Sequence, residues 1–161
     1  MGAERGRPRS APRVAVADDV ERVRRLFREY AADLGDHARY LLDFDDEVAA
    51  LPDGYEVILL AGAVGCVAVK RLDDGACEMK RLYVSPSARG TGAGRALVVA
   101  AIEQGRALGY RVMRLDTLPT MAAAQGLYRS LGFEEIGRYN DNPAPDVRFM
   151  ELDLRPPPAG T

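Results

Sequence analysis

The chain has 161 residues, a length that favours one domain. Hydrophobic residues make up 47% and charged residues 29%, a balance that fills a globular core without disulfide or metal staples. The net charge of -2 leaves no basic footprint, so no nucleic-acid partner is expected. Two cysteines, Cys66 and Cys77, make no disulfide framework, and with His37 as the one histidine no metal site is expected. No apolar run approaches the ~18 residues of a membrane span, so no membrane partner is expected either.

Residues 1–12 are rich in Arg, Pro and Gly and lack the apolar stretch of a secretory signal. They read as a disordered leader, with a cytoplasmic location as the default. Arg13 to Ala17 alternates weakly, as a short strand would. Asp18, with Glu21 three residues on, has the pattern of a capping box. Val20, Val23, Leu26, Phe27 and Tyr30 then recur at helical spacing to about Leu34, and Gly35 ends the helix. A shorter helix is expected from Asp45 to Leu51, followed by a turn at Pro52-Asp53-Gly54.

Three strand-like runs follow, Tyr55–Ala61, Val64–Leu72 and Ala76–Val84. Gly62 separates the first two, and Asp73-Asp74-Gly75 the second and third, a hairpin signal that predicts an antiparallel meander. Arg95 to Leu108 reads as a helix closed by Gly109, Arg111–Asp116 as a strand, and Met121–Leu131 as a helix closed by Gly132. Phe133–Tyr139 and Val147–Leu154 are two last strands around a polar loop. Residues 155–161 form a Pro-rich tail, which leaves 13–154 as the folded domain. The strand–helix–strand unit from Ala76 to Asp116 requires a parallel pair. The fold class is therefore α/β, a mixed sheet in the order β-α-α-β-β-β-α-β-α-β-β with helices on both faces.

The segment richest in chemistry runs from Glu78 to Leu108. Gly90, Gly92 and Gly94 stand where a strand turns into a helix. Glycine there admits positive φ and close approach to the main chain, and free N–H groups at a helix N-terminus attract anions. A pyrophosphate site and an ordinary tight turn both satisfy this pattern. No Gly-Lys pair exists for a Walker A loop, and the glycine spacing fails a dinucleotide fingerprint. Asp116, at a strand end about 20 residues on, keeps a nucleotide reading open.

Arg89-Gly90-Thr91-Gly92-Ala93-Gly94 resembles the [Q/R]-x-x-G-x-[G/A] motif of the GNAT N-acetyltransferase superfamily, and Arg81–Pro86 is similar to the strand before it. Gly126-Leu127-Tyr128-Arg129-Ser130-Leu131-Gly132-Phe133 resembles that family's second motif, at the family's spacing. The resemblance covers roughly Val14 to Leu154, and its group is small single-domain bacterial members. It implies the GNAT acyl-CoA N-acyltransferase fold. It also implies acetyl-CoA as cosubstrate, its pyrophosphate on the backbone from Arg89 through Gly90, Thr91, Gly92 and Ala93 to Gly94, with Arg95 beside it. The pantetheine arm would lie along the main chain of Leu82, Tyr83 and Val84 as an added strand, where one N–H can polarise the thioester carbonyl.

By the same resemblance Tyr128 is the acid that protonates the departing CoA sulfur. A phenol, at about 10, stays protonated at neutral pH and can be reloaded by the amine's proton. The alternative for Tyr128 is a core tyrosine on the helix stripe. Glu78, eleven residues before Arg89, stands where lysine-acetylating members carry their base. A glutamate at about 4.3 is a weak base for an ammonium, so burial or a bridging water is required. The alternative is a strand glutamate paired with Lys80 or Arg81. Strand alternation puts Glu78, Lys80, Leu82 and Val84 on one face. Where the second motif often carries an Asn that contacts CoA, this chain has Met121, and Thr117 or Thr120 would have to replace that contact. Cys66 and Cys77 lack an activating base, which favours direct transfer in a ternary complex.

The acceptor site of such a protein draws on Asp43 to Glu47 and on Asn140 to Pro143. The acidic run reads equally as a helix N-terminus satisfying its dipole. The expected function is transfer of acetyl from acetyl-CoA to a primary amine, of a small molecule rather than a protein tail. A protein or peptide N-acetyltransferase, or a non-catalytic acyl-CoA binding module, is the alternative. A homodimer is the one protein partnership this reading admits.

Overall fold

The computed structural model describes residues 12–156. The expected leader and tail fall largely outside these residues. Seven strands form one sheet: β1 (Val14–Val16), β2 (Val57–Ala61), β3 (Gly65–Arg71), β4 (Ala76–Val84), β5 (Val112–Thr117), β6 (Glu134–Ile136) and β7 (Arg148–Asp153), in the spatial order β1-β2-β3-β4-β5-β7-β6. All neighbours are antiparallel except β4 and β5, the pair that the crossover helix requires to be parallel. The mixed sheet and the element order are those expected from the sequence.

Four helices cover the sheet: α1 (Val20–Asp33), α2 (Phe44–Ala50), α3 (Ala93–Ala107) and α4 (Ala122–Ser130). Helix α1 starts at Asp19, not Asp18, because it is the Asp19 carboxylate that accepts the Arg22 N–H at 3.1 Å. Its stripe Val23, Leu26 and Phe27 packs on Ile58, Leu60, Cys66, Ala68 and Tyr83, with Val48 of α2 completing this layer. On the opposite face Leu97, Val98, Ala101 and Ile102 of α3 and Tyr128 of α4 pack on Val67, Val69, Met79, Met113 and Leu115. Each such buried aliphatic side chain contributes on the order of 1.5–3 kcal/mol. Gly105 lets α3 seat closely: a Cβ there would come within 3.0 Å of Leu154 and 3.1 Å of Met113.

A 3-10 turn from Gly35 to Tyr40 follows the end of α1, in a stretch for which the sequence suggests no element. Strand β6 stops at Ile136, three residues short of the expected end at Tyr139. Beyond Gly137 the chain leaves the sheet so that Tyr139 can set its ring edge-on against Phe149, 5.3 Å between centroids. No helix among the described residues is long and apolar enough to cross a membrane.

Candidate active site

Two irregularities of β4 shape the site. Cys66 stands opposite Tyr83 and Ala68 opposite Lys80, so Val67 alone faces both Arg81 and Leu82. This is a bulge, two residues against one. It puts Arg81 at φ 62, a left-handed conformation that costs a non-glycine residue ~1–2 kcal/mol. What holds it there is a buried guanidinium: Nε donates to Glu47 Oε2 at 2.9 Å and Nη2 to Oε1 at 2.8 Å. The same group lies 5.5 Å from the ring centroids of both Tyr30 and Phe44. Burial pushes Glu47 up, but the Arg81 fork outweighs it and holds the carboxyl below its usual range.

The bulge corrects the expected alternation. Glu78 and Lys80 face the α1 side with Tyr83, whereas Leu82 and Val84 face the α3 side with Cys77 and Met79. Glu78, Lys80, Leu82 and Val84 therefore do not share a face. The inserted residue resets the period of two that simple alternation assumes.

The second irregularity is a splay. Pairing of β4 with β5 runs from Ala76–Val112 to Glu78–Arg114 and ends there. From Met79 to Val84 the β4 edge has no β5 partner, although β5 continues to Thr117. Leu82, Tyr83 and Val84 thus offer main chain on an open edge, while the Tyr83 side chain is buried in the α1 layer.

That edge runs into the glycine turn. Alternate N–H groups in the turn are used internally: Arg89 donates to Pro86 O and Thr91 to Ala88 O, each at 3.3 Å, and Ala93 to Thr91 Oγ1 at 3.3 Å. Gly90, Gly92, Gly94 and Arg95 have no acceptor for their N–H among the described residues. Gly90 at φ 81 and Gly92 at φ 87 make this alternation possible, and a Cβ on either would meet nothing within 4 Å. Glycine is demanded there by conformation, with open space beyond. Free donors at the N-terminus of a 15-residue helix fit an anion such as a pyrophosphate. The Arg89 guanidinium bonds to Val84 O and, at 3.1 Å, to Asp33, and Arg95 reaches Ser130 Oγ at 3.3 Å.

At the other end of the splay lies a cavity of about 340 Å³, walled by Tyr30, His37, Lys70, Lys80, Asp116 and Asn140 among others. A narrow cleft between β4 and β5 adjoins it, sharing Tyr30, Lys80, Arg81, Asp116, Thr117 and Met121, and ends on Tyr128. Tyr128 is 7% exposed and packs against Phe133 at 5.7 Å. Its hydroxyl has no protein partner, yet no fully buried side-chain polar atom among the described residues is unsatisfied. The hydroxyl therefore keeps some accessible surface, on a side chain that lines the cleft. Burial, with smaller effects of Tyr30 and the Asp116 charge, raises its pKa above the ordinary value and keeps it protonated.

Glu78 is 3% exposed and sits behind the cavity wall. Its Oε2 accepts the Tyr139 hydroxyl and, at 3.3 Å, Asn140 Nδ2, while Lys80 Nζ stands 3.6 Å from Oε1. Burial, followed by the Glu78 charge, holds Tyr139 protonated. Asp116, in contrast, is on the wall of both cavity and cleft, and its Oδ2 accepts Asn140 Nδ2 at 2.8 Å and Asn142 Nδ2 at 3.1 Å. Of the acidic run, Glu47 lines the cavity but Asp43, Asp45 and Asp46 do not. Asn140 to Pro143 do line it. Met121 lines the cleft and Thr117 Oγ1 points at its sulfur, 3.9 Å away, while Thr120 lies outside both cavities. Cys66 and Cys77 are buried, and burial pushes both thiols up to about 12, far from a thiolate nucleophile. Sequence reasoning missed Tyr30, Lys70, Tyr139 and the part played by Arg81. Tyr30 sits on a helix stripe that nothing distinguishes from core, and Arg81 reaches the site only through the bulge.

Comparison with known proteins gives this arrangement a lineage. Residues 20–133 match the family model described as acetyltransferase (GNAT) family. The chain belongs to the GNAT family. An uncharacterised N-acetyltransferase of Schizosaccharomyces pombe is 38% identical over 153 residues, covering 88% of this chain and 92% of that one. The IAA acetyltransferase of Azospirillum brasilense is 33% identical over 154 residues, covering 89% and 99%. A Salmonella typhimurium protein solved with its cofactor acetyl-CoA shares the GNAT fold, with a TM-score of 0.71 at 24% identity over 93% of this chain and 98% of that one. Among GNAT relatives, then, this chain matches along most of its length, and the sheet described above is the GNAT sheet.

Proposed function

We propose that the protein transfers the acetyl group of acetyl-CoA directly to the primary amine of a small molecule, with residues 13–154 as the catalytic domain. The observation that carries this reading is Tyr128, its hydroxyl without a protein partner among the described residues, lining a cleft between a turn of free N–H groups and the neighbouring cavity. The pyrophosphate lies on the N–H groups of Gly90, Gly92, Gly94 and Arg95, with Arg89, Thr91 and Ala93 shaping the turn. The pantetheine arm adds to the free β4 edge at Leu82, Tyr83 and Val84.

In the reaction an N–C bond forms as the C–S bond breaks. The nitrogen loses a proton and the thiolate gains one. A main-chain N–H of the β4 edge stabilises the oxyanion. Tyr128 supplies the proton to sulfur. Glu78 receives the amine's proton through a bridging water, since its carboxylate stands behind Asn140 rather than on the wall. A cavity of about 340 Å³ is at the small end of the ~300–1,000 Å³ range for small-molecule sites, which favours a metabolite over a protein tail.

Titration calorimetry with acetyl-CoA, NAD and ATP tests the donor half. Micromolar binding of acetyl-CoA alone supports it, and no binding overturns it. A free-thiol release assay across an amine panel then tests the transfer. Binding without turnover on any amine would make the protein an acyl-CoA sensor instead.

A further inference from the structure

The α1-facing side of the sheet carries an ordered row of charge. Register places Lys70 of β3 opposite Glu78 of β4, Glu78 opposite Arg114 of β5, and Arg114 opposite Glu151 of β7. Most of these charges are matched: Arg114 Nε donates to Glu151 at 2.8 Å, Lys80 faces Glu78 at 3.6 Å, and Arg81 is held by Glu47. Three charges on the cavity wall are not: the half-buried Lys70 and Asp116, and the exposed Asp141. Lys70 has no carboxylate within 4.0 Å among the described residues. Asp116 takes both of its amide donors on Oδ2, which leaves Oδ1 without a donor and the carboxylate without a paired cation among the described residues.

A half-buried cation and a half-buried anion that each lack a partner, both lining one cavity, call for a ligand that supplies both counter-charges. They stand two strands and two residues of register apart, roughly 12 Å at ~4.8 Å per strand and ~3.3 Å per residue and wider where β4 and β5 part, a gap that the two side chains and a small zwitterion span together. Lys70 has no part in holding the donor. Its backbone stands opposite Glu78 in the strand register, and the glycine turn lies beyond Val84, six residues or roughly 20 Å further along β4.

We infer that the acceptor is an amino carboxylate: its ammonium rests against Asp116 beside the Tyr128 cleft, and its carboxylate is held by Lys70 with Lys80 alongside. This rests on the acetyl-transfer reading above and narrows its substrate class. The Asp116 end adjoins the cleft where the thioester lies, so the nitrogen is the group presented for attack.

The test pairs free amino acids, β-alanine and 4-aminobutyrate included, with their decarboxylated amines and methyl esters, in the thiol-release assay. The expected result is at least tenfold higher kcat/KM for the best amino carboxylate than for its carboxylate-free counterpart. Lys70→Met should bring that ratio towards one by raising KM for the carboxylate. Lys70→Glu should invert it in favour of diamines, a gain that misfolding cannot produce. A wild-type preference for amines without a carboxylate, or a ratio unmoved by both substitutions, overturns the inference. In either case acetyl-CoA binding and turnover of simple amines would persist, so the broader acetyl-transfer reading would survive. Absence of acetyl-CoA binding would bring down both.

Discussion

Replacing Tyr128 with Phe removes one oxygen from a side chain that is otherwise packed against Phe133 and the α3 layer. Because that oxygen bonds to no protein group, the fold should be nearly indifferent, with a stability change within ~0.5 kcal/mol. The catalytic cost can be bounded. A positioned general acid contributes ~10²–10⁴-fold. An ordinary phenol, at about 10, is already a weaker acid than a thiol at about 8.5, and moving its proton to a thiolate alone is uphill by ~2 kcal/mol. Burial raises Tyr128 further, so donation helps only as the C–S bond breaks and the amine's proton follows. The lower end of the range is expected, ~10² in kcat, or ~2.7 kcal/mol. Thiol release at saturating acetyl-CoA measures it, with calorimetry showing unchanged cofactor affinity. Since Tyr128 must be protonated and its pKa is raised above 10, no alkaline loss of wild-type kcat below pH ~10 should trace to it. A variant within twofold of wild-type kcat would return Tyr128 to the core. A parallel loss of acetyl-CoA affinity would show a packing role instead.

Gly92→Asp should abolish acetyl-CoA binding in calorimetry, because it forces a side chain onto φ 87 and sets a carboxylate where the pyrophosphate lies; unaltered affinity would sink the turn assignment. Glu78→Gln should lower kcat/KM most at low pH, where little free amine exists, whereas Asp116→Asn should raise KM at every pH. A Glu78→Gln profile parallel to wild type would confine Glu78 to anchoring Tyr139 and Asn140. Arg81→Ala leaves Glu47 half-buried without its partner and should cost ~3–5 kcal/mol in chemical denaturation. Glu47 has a folded pKa below its unfolded value, so its contribution is full above about pH 4.5 and lost as pH falls through the folded pKa. Glu47→Gln should therefore flatten the acid limb of the stability profile, and a limb of wild-type steepness would refute the assignment.

Sequence alone determined the element order, the parallel crossover at β4–α3–β5 and the glycine turn, because each rests on local chemistry. Asp-Gly turns, helical spacing and glycines at a helix start all act within a few residues. The family motifs likewise lie in two short segments, Arg89–Gly94 and Gly126–Phe133. Tertiary structure alone decided the faces and the partners. One inserted residue in β4 turned Leu82 and Val84 away from Glu78 and sent Arg81 across to Glu47, 34 residues earlier. Leaving the sheet after Ile136 brought Tyr139 onto Glu78, 61 residues away, and so took that carboxylate off the cavity wall. Asp116 and Tyr128 line one cleft only because β4 and β5 part after Glu78. Pairing lost between two strands is a long-range balance of hydrogen bonds and packing that periodicity within either strand does not show; the open β4 edge is implied only by the family resemblance, through the added-strand mode of holding pantetheine.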